Sequence, residues 1–130
     1  MTDLAARECR ERIASGGVGR VAWCSNGHPQ ITPVNFTVLG DDVVFRTSPY
    51  SDLGRHVAGA AVAFEVDGYD EHQRRGWSVV VQGQASVVDD PDELMRLRGL
   101  AAQPWAPGQR NLFVRLRSDR ISGRQVGEAP

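Results

Sequence analysis

Between Val18 and Val126 the hydrophobic side chains return again and again at a period of two, and this alternation most constrains the fold. A period of two is that of a strand with one buried and one wetter face. The longest run is Gly76–Val88. Trp77, Val79, Val81, Gly83, Ala85 and Val87 fall on one face, with Ser78, Val80, Gln82, Gln84 and Ser86 on the other. Shorter runs follow the same rule. Val18–Ser25 leads through Asn26-Gly27, the pair most suited to a tight hairpin turn, into Pro29–Leu39. There Val34, Phe36 and Val38 oppose Pro33, Asn35 and Thr37. Val43–Thr47, Ala61–Asp67, Asn111–Arg117 and Arg120–Val126 complete the set, and Gly68–Arg75 reads as a polar loop.

Helical spacing is confined to three short stretches. Thr2–Ser15 is expected as a helix capped by Thr2 and stopped by Gly16-Gly17, packing by a stripe of Leu4, Ala5, Cys9 and Ile13. A second helix is expected from Ser51 to Gly59. A third opens at Asp89-Asp90-Pro91 and runs to Ala101, with Pro91 at a first helical position. Six to seven strands in meander order, with short helices inserted, point to a mainly β (α+β) fold: an antiparallel split barrel in one domain spanning residues 1–130.

Composition removes several functions. A net charge of -1 disfavours a general nucleic-acid binder. No apolar run reaches the roughly 20 residues of a membrane span. The two cysteines, Cys9 and Cys24, show no CxxC spacing, and no secretory leader is apparent; reduced thiols in the cytoplasm are the expectation. His28, His56 and His72 have no metal-ligand spacing, and Asp67, Asp70 and Glu71 read as a solvated acidic edge. His56 keeps one alternative, as a proton donor or lone haem ligand. All 15 Lys and Arg positions are Arg, so any anion must be held by guanidinium or backbone donors.

The segment with most chemical content is Val43–His56. Arg46 and Thr47 stand at a strand end, and Ser51 is placed to cap the helix that follows. A guanidinium and hydroxyl groups beside the outward N–H groups of a first helical turn make a plausible phosphate seat. Arg46 reads either as this anion contact or as a solvated strand arginine, and Asn35 as a ligand contact or a loop hydrogen bond. Trp77 and Trp105 read as core or as cofactor wall. Val80, Gln82, Gln84 and Val88 are expected on a polar dimer seam.

Four stretches, Pro33–Phe36, Val44–Thr47 with Ser51, Ala63–Gly68 and Gly76–Gly83, together with Pro104–Gly108, resemble the flavin-binding split-barrel family typified by pyridoxamine 5'-phosphate oxidase, in particular its short bacterial members. The resemblance implies a homodimer with two FMN sites at its interface. It places the phosphate near Arg46, Thr47 and Ser51 and the flavin ring along Pro33, Val34 and Asn35, with Phe45 and Arg55 as further candidate cofactor-binding residues. Trp77, Ser78 and Gln82, with Trp105 and Arg110 from the partner, would line the same cleft. It implies an oxidoreductase acting on a small molecule, without protein acid–base groups. Relatives usually carry a basic residue where this chain has Asp52, and Asp52 instead invites an ion pair with Arg55. Two other readings stay open: a deazaflavin coenzyme held with help from Arg55, Arg74 and Arg75, or a non-catalytic haem-binding or degenerate split barrel.

Overall fold

The computed structural model describes residues 1–100 and 112–127. Its eight strands are β1 (Thr2–Leu4), β2 (Gly17–Ser25), β3 (His28–Leu39), β4 (Asp42–Thr47), β5 (Ala61–Asp70), β6 (Arg75–Val87), β7 (Leu112–Leu116) and β8 (Arg120–Val126). Three helices intervene: α1 (Ala6–Ile13), α2 (Asp52–His56) and α3 (Pro91–Leu100).

All strand pairings are antiparallel, in the order β1-β8-β6-β5-β2-β3-β4-β7, and a further β6–β7 pairing closes the ring. The long β6 makes closure possible. One of its edges pairs with β8 from Gly76 to Gln82 and then with β7 from Ala85 to Val87. Gly83 sits at the hand-over, where a Cβ would overlap the Arg117 carbonyl oxygen. Only glycine lets the two backbones approach so closely. The expected split barrel is therefore present, with one strand more than anticipated.

The barrel interior holds Val21, Phe45, Phe64, Val79, Val81 and Leu116, each 1% exposed or less. Phe36 and Phe64 meet edge to face at 4.9 Å between centroids. A smaller cluster lies on the outside of β4 and β7, where Val44 and Phe113 pack with Val88 and Leu97. Helix α3 thus covers one outer patch of the barrel, while α1 packs on β8 and β6.

Three expectations need correction. Thr2 does not cap a helix: residues 2–4 pair with β8 (Thr2↔Gln125, Leu4↔Gly123), and α1 begins only at Ala6. Glu8 accepts from the Ala5 N–H at 3.3 Å, doing the work expected of Thr2. The edge of β8 offers unpaired backbone groups, and filling them outweighs one more helical turn. Second, the polar stretch 68–75 is half strand. β5 and β6 continue as a solvated ribbon, and only residues 71–74 turn, with Asp70 accepting from the Gln73 N–H at 3.1 Å. Third, Val88 does not belong to an exposed seam. It lies beyond the end of β6, 7% exposed, under α3.

Candidate functional site

Alternation along β4 decides what the Val43–His56 segment can do. Val43, Phe45 and Thr47 point into the barrel, while Val44 and Arg46 point out. Phe45 is fully buried and Val34 is 6% exposed, so both side chains serve the core, and a ligand could meet these residues only through their backbone. Thr47 is 2% exposed, and its hydroxyl lies 3.2 Å from that of Ser51. Ser51 Oγ accepts from the Gly54 N–H at 3.0 Å, capping α2, and donates to the Ser48 carbonyl at 2.8 Å. These two hydroxyls are spent on holding the turn and starting α2.

Arg46 lies on the opposite face. In register it sits between Asn35 of β3 and Phe113 of β7. Its guanidinium carbon stands 4.8 Å from the Phe113 ring centroid, a cation–π geometry. Burial, and then the nearby Arg98 guanidinium of α3, pull the Arg46 pKa below the ordinary arginine value. An arginine titrates so far above neutrality that it stays charged. The two charged guanidiniums therefore repel each other across this corner. Arg98 and Phe113 were not readable as site residues, because neither the β4–β7 register nor the seat of α3 can be taken from the sequence.

On α2, Asp52 and Arg55 pair at 3.2 Å, with side chains 77% and 61% exposed. An ion pair so exposed is worth about 0.2–1 kcal/mol and is easily exchanged. His56 places Nδ1 2.8 Å from the Asp52 carbonyl oxygen and stacks on Trp23 at 6.0 Å between centroids.

Ser78, Val80 and Gln82 alternate onto the outer sheet face. In register this face continues through Asp67, Glu65 and Ala63 of β5 to Arg20 and Ala22 of β2, then to Pro33 and Ile31 of β3. No described helix covers it; Ile31 is 72% exposed, and Pro33, Gln82 and Gln84 are exposed as well. A groove of about 520 Å³ runs over its small residues Ala22, Ala61 and Ala63, rimmed by Gln30, Gln82 and Gln84. Arg20 bridges Glu65 at 3.0 Å and Asp67 at 3.4 Å. Burial, then the hydrogen bond and charge of Asp67, raise the Glu65 pKa; Arg20 opposes them more weakly.

Within one chain the expected site residues do not form a single cleft. Arg46 and Asn35 share the outer face of β3–β4, Ser78 and Gln82 lie on the outer face of β6, and Trp77 points to the other side of β6 with Arg12 over its ring. Trp105 and Arg110 lie outside the described residues.

The protein-family model described as pyridoxamine 5'-phosphate oxidase matches residues 5–125. An uncharacterized protein of Mycobacterium tuberculosis is 32% identical over 131 residues, covering 97% of this chain and 86% of the relative. Among solved structures, the FAD binding protein from Mycobacterium smegmatis superposes with a TM-score of 0.82 at 31% identity, covering 97% of this chain and 98% of the other. A conserved protein of unknown function from Corynebacterium diphtheriae gives 0.79 at 32% identity, covering 98% of each chain. Among the described residues no helix is long and apolar enough to cross a membrane. Family model, relative and architecture agree over nearly the whole length, and the chain belongs to the pyridoxamine 5'-phosphate oxidase-like family.

Proposed function

We propose that the protein is a homodimeric, flavin-binding oxidoreductase acting on a small molecule, with FMN as the form of the cofactor to expect first. The observation that carries this reading is the outward Arg46, set beside Asn35, backed by Phe113 and near the Arg98 guanidinium. A phosphate seated there would relieve the repulsion between the two guanidiniums and could take paired hydrogen bonds from Arg46. When bound, a flavin supplies hydride transfer, and the protein has only to hold and orient it. Asn35 and the backbone of Pro33 and Val34 stand next to Arg46 along β3, suited to the edge of a flat ring.

The bare outer face of β2, β3, β5 and β6 supports the homodimer. Ile31, Pro33 and Val80 leave apolar surface on a sheet whose other side is core, and a second copy would cover it. FAD is the second form to weigh, because the similar Mycobacterium smegmatis protein is described as FAD binding.

The test is titration of the purified, cofactor-free chain with FMN, FAD and a deazaflavin coenzyme, followed by fluorescence quenching, alongside sedimentation. Saturable binding of FMN or FAD by a dimer is expected. Binding of the deazaflavin alone would replace the cofactor; binding of none of the three, or a stable monomer, would overturn the reading.

A further inference from the structure

At the far end of β6 from the closure lies a second feature, separate from the Arg46 corner. A cavity of about 320 Å³ opens between α1 and the β5–β6 ribbon. Two cross-strand pairs build it. Trp77 faces Gly68 and Tyr69 faces Gly76 in register. A Cβ on Gly68 would come within 2.8 Å of Trp77 Nε1, and one on Gly76 would overlap the Tyr69 ring. Each ring thus lies where only a glycine leaves room. Covering a bare glycine with an aromatic is a known way to steady a strand pair. It explains the rings, but not the charges around them.

The charges are two guanidiniums. Arg12 reaches over from α1, its guanidinium carbon 5.6 Å from the Trp77 ring centroid, and donates to Gln125 Oε1 at 3.3 Å. Arg75 stands on the same wall. Both are half-buried, and neither has a carboxylate partner among the described residues. Asp70 is the one acid on the wall; it lies across from Arg75 in register without an ion pair to it, and one of its oxygens accepts from the Gln73 N–H. The Trp77 indole N–H likewise has no hydrogen-bond partner among the described residues. Tyr69 covers Gly76 on the opposite face of the ribbon from Trp77 and is 68% exposed. No atom of these three donors is both buried and unpartnered, so water can reach them, and an anion carrying several acceptor oxygens could replace that water at all three together.

We infer that this hollow is a binding site for the carboxylate or phosphate of a small molecule, with Arg12, Arg75 and the Trp77 indole N–H as donors. The inference stands independently of the flavin reading, since Trp77 and the cofactor corner lie on opposite faces of the sheet.

The experiment is a titration of nitrogen-15-labelled protein with inorganic phosphate and, separately, with benzoate, following the indole N–H signals; Trp77→Phe assigns the Trp77 signal. A saturable shift of that signal is expected, while the Trp23 indole, bonded to Thr32 at 3.1 Å, stays still and reports an intact fold. Saturation by phosphate alone or benzoate alone identifies which oxyanion the site takes. Arg12→Gln or Arg75→Gln should each weaken binding at least about tenfold. Repeating the titration with flavin added separates this site from the cofactor corner, because the shift should persist. No saturable shift at millimolar concentrations of either probe would overturn the inference. So would equal binding by the Arg12→Gln/Arg75→Gln double variant.

Discussion

The β4–α2 corner and the hollow beside Trp77 invert each other. In the corner, Arg46, Thr47 and Ser51 are close in sequence, yet the structure divides them. Thr47 and Ser51 turn inward and spend their hydroxyls on each other, the turn and the helix cap, while Arg46 takes the outer face beside Asn35 and Phe113. In the hollow, Arg12 of α1 and Arg75 and Trp77 of β6, far apart in sequence, converge with most of their donors unspent. Polar groups consumed by the fold hold it together, and polar groups left over are available to a ligand. Sequence proximity does not tell the two apart; the strand face does.

The sharpest way to break this comparison is to treat an inward residue of β4 as a ligand contact. Phe45→Ala should cost about 3–5 kcal/mol of stability, as other buried phenylalanine truncations do. Urea denaturation would measure it, and a variant of normal stability with impaired cofactor binding would reverse the assignment. Ser51→Ala should cost about 1 kcal/mol through loss of the α2 cap, with flavin affinity nearly unchanged once the protein is folded. A large affinity loss at normal stability would mean that the hydroxyl reaches the ligand after all.

Asp52→Lys sharpens the same corner from the other side. Exchanging an exposed carboxylate for an ammonium should strengthen FMN binding by about fivefold, worth about 1 kcal/mol, and raising the salt concentration should shrink the gain. An equal gain for riboflavin would show that the phosphate is not near α2.

The smallest effect concerns Glu65 on the bare sheet. Its raised pKa means that the folded chain keeps this proton to higher pH than the unfolded chain does. Folding therefore takes up a proton between the ordinary glutamate value and the raised one, and stability declines as pH rises through that window. Glu65→Gln should flatten this decline in denaturation midpoints measured from about pH 4 to about pH 7. An unchanged slope would locate the pH dependence elsewhere.

Most of the barrel was legible because alternation is a direct consequence of a half-buried strand: Val34 and Phe36, Phe64 and Val66, and Val79 and Val81 all point where the period of two puts them. Asn26-Gly27 turns as its residue types demand, both with positive φ (51° and 80°). What was not legible depends on partners distant in sequence. Thr2 reads as a cap until β8 offers it an edge, and residues 68–75 read as loop because a ribbon wetted on both faces has no hydrophobic alternation to display. The outward face of Arg46 was legible from the alternation of its strand, and the Asp52–Arg55 pair from its spacing. The contributions of Phe113, Arg98 and Arg12 rest on register and helix packing, and local sequence carries neither.

The account rests on Arg46 as the anchor of a flavin phosphate on the outer side of β4. The direct measurement compares FMN and riboflavin affinities in the natural protein and in Arg46→Ala. FMN binding should weaken at least about tenfold, worth roughly 1.4 kcal/mol, while riboflavin binding barely changes. An equal loss for both ligands, or no loss for either, would contradict the account.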